Sequence, residues 1–132
     1  MKAEWSKDWN SSIKPRKQRK YRAKAPLHVR QKFMTVHLSK DLKTKYGIKN
    51  TTIRKGDKVQ IVRGQYRKRS GEVLKVLLKR GKVLIEGIDN VKKDGTTTPV
   101  AFEPTNLTIT SLNLEDKKRK TKLEKKSPKE KK

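Results

Sequence analysis

The sequence predicts a mainly β protein. It should be a small closed β-barrel with one short helix before it, an extended basic arm at the N-terminus and a basic tail at the C-terminus. Three observations carry this expectation. The aliphatic residues are concentrated in the middle of the chain. From Gly56-Asp57 onward they recur in short runs, several of them alternating, separated by turn residues. Both ends are rich in charge and poor in anything that packs. The chain has 132 residues, about one domain's worth. The expected division is an arm over 1–37, a helix and linker over 38–52, the barrel over 53–113 and the tail over 114–132.

The arm contains "SSIKPRKQRKYRAKAPLHVRQK", which has no helical or strand periodicity. Pro15 and Pro26 each push the preceding residue toward extended backbone. The arm is therefore expected to be extended, ordering only on a partner. Next comes "HLSKDLKTKYG". Ser39 suits an N-cap, Asp41 the positive end of the helix dipole and Gly47 a left-handed stop. Leu38, Leu42 and Tyr46 form one apolar stripe, so a helix is expected over about Ser39 to Tyr46.

Five strands are expected next: Lys58–Arg63, Glu72–Leu78, Lys82–Ile88, Thr98–Glu103 and Leu107–Leu112. Lys79-Arg80-Gly81 turns the second into the third, Asp94-Gly95 marks a polar loop, and Pro104-Thr105-Asn106 makes the last turn. Closure into a barrel is expected because it removes exposed strand edges. The tail, "EDKKRKTKLEKKSPKEKK", has Leu123 as its one apolar anchor. It should form a frayed helix, stopped by Pro128, and then a loose electrostatic anchor.

Charge narrows the function. Lys and Arg number 38 against 13 Asp and Glu, a net charge of +25. Such a chain repels itself and needs a polyanion, with nucleic acid the first candidate and an anionic membrane surface the second. No stretch approaches the roughly 20 apolar residues of a spanning helix. The N-terminus has no apolar signal-peptide core, and there are no cysteines, which together suit a cytoplasmic protein. His28 and His37, the only histidines, lack ligand partners at metal-site spacing. No Ser, Thr or carboxylate has a positioned base, so no catalytic constellation exists and no cofactor is expected. Asp57 is best explained as a turn residue that bonds nearby backbone. Gly64 and Gly71 match neither nucleotide-loop spacing, and a strand follows Gly71 where those loops lead into a helix.

The basic loop Arg67-Lys68-Arg69 is the strongest candidate contact for RNA. Arg63, Gly64, Tyr66 and Ser70 surround it. The glycines would allow close approach to phosphate, and Tyr66 offers a ring for an unpaired base. In the arm, Arg16, Lys17, Arg19, Lys20, Arg22, Lys24, Arg30 and Lys32 are interleaved with Tyr21, His28 and apolar residues, a mixture suited to threading RNA. Arg54, Lys55, Lys79, Arg80, Lys92 and Lys93 complete the set. Trp5 and Trp9, four apart, would stack on one helical turn and meet RNA or a neighbouring protein.

"IRKGDKVQIVRGQYRKRSGEVLKV" resembles a KOW motif: a Gly-Asp turn, an alternating strand, Gly64, a basic loop, then Gly71 before a second strand. The flanks "PRKQRKYRAKAPLHVRQKFMTVHLSKDLKTKYGIKN" and "LIEGIDNVKKDGTTTPVAFEPTNLTI" resemble the archaeal and eukaryotic branch of the ribosomal L-twenty-four family over about residues 10–115. The resemblance implies an SH3-like barrel in the large ribosomal subunit, near the polypeptide tunnel exit. It implies binding to the 5′ region of the large-subunit rRNA early in assembly. Its partners would be that rRNA and neighbouring large-subunit proteins, with no membrane and no homo-oligomer. One departure stands out: Lys68 occupies a loop position where the family commonly has glycine, and is expected to alter the loop's backbone path. A second expectation is a KOW module that contacts RNA polymerase. Such factors resemble longer chains with a mixed α/β domain ahead of the motif, which residues 1–52 are too basic to form.

Overall fold

The computed structural model describes residues 5–6 and 12–125. Its elements run in the order α1 (Pro15–Lys24), α2 (Leu27–Phe33), β1 (Thr35–Leu38), α3 (Lys40–Tyr46), β2 (Asn50–Thr52), β3 (Lys58–Ile61), β4 (Ser70–Leu77), β5 (Lys82–Val91), β6 (Thr97–Phe102), a 3-10 turn (Pro104–Asn106), β7 (Leu107–Ser111) and α4 (Lys117–Glu124).

The five expected strands are β3 to β7, with ends within three residues of those anticipated. They form because Val59, Ile61, Val73, Val83, Ile85, Leu107 and Ile109 alternate inward and are almost wholly buried. Two further strands, β1 and β2, join them. Val36 and Leu38 of β1 enter the same core, together with Met34, Ile53, Ile88 and Phe102. The strand order is β2-β1-β7-β3-β4-β5-β6. β1 pairs with β7 in parallel; every other neighbour is antiparallel.

The expected closed barrel is not made, because the end strands β2 and β6 do not pair. The edges are managed otherwise. Pro99 sits in edge strand β6, opposite Asp89, and has no N–H to offer another strand. At the other edge the Thr52 carbonyl of β2 accepts a hydrogen bond from Arg119 Nη2 of α4 at 3.2 Å. Register shifts in β4 and β5 bend the sheet around its core. The second lets both Ile85 and Ile88 point inward, three residues apart.

The arm also departs from expectation, since it is helical rather than extended. α1 has no buried residue, so there is no apolar stripe to detect. It forms because Pro15 occupies the first turn, where its missing N–H costs nothing, and because Arg, Lys, Gln and Ala favour helix. α3 begins at Lys40 and ends at Gly47, which takes the left-handed conformation at φ 63°. Ser39 sits at the N-cap without a side-chain bond; its N–H instead donates to the Ile109 carbonyl at 2.9 Å.

The C-terminal segment is docked through residue 125 rather than loosely held, while Pro128 lies outside the described residues. Asp57, fully buried, is the reason. Its Oδ2 accepts from the Arg54 N–H at 2.9 Å and Arg119 Nη2 at 2.7 Å. Its Oδ1 accepts from the Asn113 N–H at 2.9 Å and Arg119 Nη1 at 2.6 Å. Arg119 Nη1 donates also to the Asn113 carbonyl at 2.9 Å. The local turn role expected for Asp57 is real, but it is one of four bonds. Leu123, one turn beyond Arg119, is buried beside it. Asp116 caps α4, accepting from the Lys118 N–H at 2.8 Å, and pairs with Arg54.

Asp57→Asn should leave the Arg119 charge buried without its counter-ion and cost about 3–5 kcal/mol, measured by urea unfolding. Acid should act on α4 through Asp116, whose carboxyl is held below its ordinary value of 3.8 by Arg54 and then by the Lys118 N–H. A depressed carboxylate stabilises the fold fully above its unfolded value, and that contribution disappears as pH falls through the folded value. Amide exchange in α4 should therefore rise below about pH 4, and the rise should be absent in Asp116→Asn.

Candidate nucleic-acid interface

The loop between β3 and β4 is a hydrogen-bonded bend. The Ile61 N–H donates to the Arg69 carbonyl at 2.8 Å, and the Lys68 N–H donates to the Ile61 carbonyl at 2.9 Å. Lys68 and Arg69 thus face one residue, the arrangement of a bulge. Within the bend the Arg67 N–H donates to Gly64 O at 3.2 Å and the Arg69 N–H to Tyr66 O at 3.1 Å. Its two glycines serve different ends. Gly64 has φ +95° with open space where a Cβ would point, so conformation demands it. Gly71 is demanded by space: a Cβ would lie 2.7 Å from the Glu86 carbonyl oxygen across β5.

Lys68 has φ 71° and is the one non-glycine residue with positive φ among the described residues. The first bulge position is one that glycine normally takes, and a side chain there costs roughly 1–2 kcal/mol. The loop therefore follows a glycine-like path with a cation at its turning point. Among the described residues, the side chains of Arg63, Arg67 and Lys68 form no hydrogen bond or ion pair, and all three are exposed.

Tyr66 is not the open platform expected. Its ring meets Phe102 edge-on, with centroids 5.8 Å apart, and the Arg69 guanidinium lies 5.5 Å from its centroid. Arg69, Tyr66 and Phe102 form a stack that plugs the core at this corner and anchors the loop. The Val62 N–H, donating to the Asn106 carbonyl at 2.9 Å, fixes the loop to the same Phe102–Asn106 corner.

The arm reaches this corner from the other side. Arg30 donates from Nε to the Ala25 carbonyl at 2.9 Å, from Nη1 to the Lys79 carbonyl at 2.7 Å, and from Nη2 to the Ala23 carbonyl. It pins α1 and α2 to the β4–β5 turn. Arg22 stands over the half-exposed Phe33 ring, 5.8 Å from its centroid. The corner thus gathers the β3–β4 loop, Lys79 and Arg80 of the turn, and Arg22 of the arm.

Other candidates fall elsewhere. Arg16, Lys17, Arg19, Lys20 and Lys24 are exposed on α1, and His28 and Lys32 on α2. Tyr21 stacks on Trp5 at 5.2 Å rather than standing free, while Trp9 lies outside the described residues. Arg54 is engaged by Asp116. Ser70 opens β4 opposite Gln60, and Lys55 is exposed in the turn before β3. Lys92 and Lys93 occupy the tip of the β5–β6 hairpin. That tip lies five residues along β6 beyond Val83↔Phe102, about 17 Å along the ladder. Among the described residues no group of three or more His, Asp or Glu could hold a metal ion. Among the described residues no helix is long and apolar enough to cross a membrane.

Two features escape a reading of the sequence by periodicity and charge. Phe33 is one, although an aromatic in "RQKFM" carries the same basic-aromatic signal as the loop. β1 is the other: it is absorbed into the arm, although Met34, Val36 and Leu38 alternate.

Known proteins resemble this chain closely. Residues 12–126 match the family of ribosomal proteins called L26 in eukaryotes and L-twenty-four-P in archaea. The chain is 49% identical to "Large ribosomal subunit protein uL24" of Korarchaeum cryptofilum, covering 89% of this chain and 90% of that protein. It is 43% identical to the protein of that name from Methanosarcina barkeri, covering 86% and 98% respectively. With a match over most of its length, the chain belongs to this ribosomal protein family and is a structural, non-enzymatic constituent of the large ribosomal subunit.

Proposed function

We propose that this protein binds large-subunit rRNA in its 5′ region, as a single copy among neighbouring ribosomal proteins. It would assist early folding of that RNA and come to lie near the polypeptide tunnel exit. The observation that carries the RNA reading is the β3–β4 loop. It presents Arg67 and Lys68 unpaired on a bend held by four backbone hydrogen bonds, on a chain of net charge +25. A pre-ordered backbone has no loop freedom to lose when its side chains meet phosphate, and each phosphate neutralised releases counterions. The loop supplies positioning rather than base readout, since its aromatic is committed to the core. The exposed cations of α1 extend the same sign of charge along the arm and provide further backbone contacts.

Replacing Arg67, Lys68 and Arg69 together by Ala should lower affinity for a 5′-region rRNA fragment. It should flatten the logarithmic salt dependence by about one unit for each phosphate no longer neutralised. An unchanged slope, measured by filter binding over a salt series, would show the loop to be merely solvated.

Lys68→Gly separates backbone from charge. Relief of the left-handed lysine should raise stability by about 1 kcal/mol in thermal unfolding, while the salt slope for RNA falls by about one unit. A variant that gains stability with its slope intact would remove Lys68 from the contact set.

A further inference from the structure

Between the arm and the β4–β5 turn lies a cleft of about 390 Å³ that charge neutralisation alone does not explain. Its floor is apolar, made by Met34 and Pro104, both buried, and by Leu78. The Phe33 ring forms one wall, 41% exposed, with the Arg22 guanidinium over it. Arg80, exposed, lines the same cleft. The walls are held before any ligand arrives. Arg30 bonds α1, α2 and the β4–β5 turn together through three carbonyls. Lys82 holds Glu103, the acidic residue of the lining, at 2.8 Å.

We infer that this cleft receives one unstacked nucleobase of the bound RNA. The inference rests on the rRNA-binding reading and adds a base-recognising site to it. The chemistry favours a nucleotide over a peptide. A base needs an apolar slot, an aromatic face and a planar cation to stack on, while its flanking phosphates need cations at the rim. Phe33 and Arg22 supply the stack, and Arg80 and Lys79 the rim. An acidic peptide would find the rim but have no use for the aromatic wall and apolar floor. The cleft abuts the Phe102–Asn106 corner that also anchors the basic loop, so one strand of RNA leaving the loop passes its mouth. Flat contact with an RNA duplex would leave the exposed face of Phe33 unmatched, because the bases of a duplex are stacked inside it.

The test uses the full chain with methyl-labelled methionine. The sequence holds two methionines, Met1 and Met34, so the floor of the cleft gives one of two signals. Short oligoadenylate should move the Met34 methyl upfield through the ring current of the inserted base. An abasic ribose-phosphate oligomer, an RNA duplex and polyglutamate should not. Phe33→Leu keeps an apolar side chain and removes the ring. It should weaken oligoadenylate binding about tenfold, with the salt slope and duplex affinity unchanged. Phe33→Ala should do the same. The inference is overturned, with rRNA binding intact, if the Met34 signal stays put while oligoadenylate binds. It is overturned also if polyglutamate shifts the signal equally, or if Phe33→Leu weakens the abasic oligomer as much as oligoadenylate. Failure of the unaltered protein to bind any RNA, including a 5′-region rRNA fragment, would overturn the broader reading as well.

Discussion

The structure depends most on a single carboxylate. Asp57 is fully buried and accepts four hydrogen bonds, two from backbone N–H groups and two from the fork of Arg119. A charge so placed would be costly without partners, and here every lone-pair direction is answered. The four donors come from three places in the chain: the turn before β3, the residues after β7, and α4. One side chain therefore joins the entrance of the sheet to its exit and seats the C-terminal helix on both. The same guanidinium covers the Thr52 carbonyl at the edge of β2. A small sheet that does not close needs such a device, because an open edge is a site for unwanted pairing.

That clamp sorts the basic residues into two kinds. Arg119, Arg30, Arg54 and Lys82 are engaged within the fold, by a buried carboxylate, by three carbonyls, by Asp116 and by Glu103. They hold α4, the arm and the hairpins in place. Arg63, Arg67 and Lys68, with the lysines and arginines of α1, are exposed and carry the chain's excess positive charge outward. Arginine suits the internal tasks because its planar fork satisfies several acceptors at once. The same residue type thus builds the scaffold at some positions and faces the polyanion at others, and only neighbouring acceptors distinguish the two.

The aromatic residues follow a similar division. Tyr66 and Tyr21 look like stacking platforms in the sequence, yet each is covered from within, Tyr66 by Arg69 and Phe102 and Tyr21 by Trp5. Phe33, which the sequence does not single out, carries Arg22 over its ring yet stays half-exposed beside a preformed cleft. An aromatic near a core tends to bury its area, because that burial is worth more than an unoccupied exposed face. Availability for a ligand is decided by which rings the scaffold fails to cover.

Several features follow from the residues alone. The strands β3 to β7 are legible because their alternation is local and one face is buried. The turn at Gly47 is legible because few other residues tolerate its conformation. Lys68 stands out through the family resemblance as a lysine in a glycine's place; a changed loop path is the expectation there, yet at φ 71° the lysine keeps the glycine-like path. The net charge makes a polyanionic partner the leading expectation whatever the fold. Tertiary structure decided the rest. α1 forms without an apolar stripe, so periodicity has nothing to report. The parallel pairing of β1 with β7 joins residues about 70 positions apart. The partnership of Asp57 with Arg119 spans 62 positions, and no local pattern announces it. Closure is the natural inference from the need to hide edges, but Arg119 and Pro99 meet that need without a barrel. Long-range contacts determine which charges are neutralised and which rings are covered, so the shape of the interface belongs to the fold.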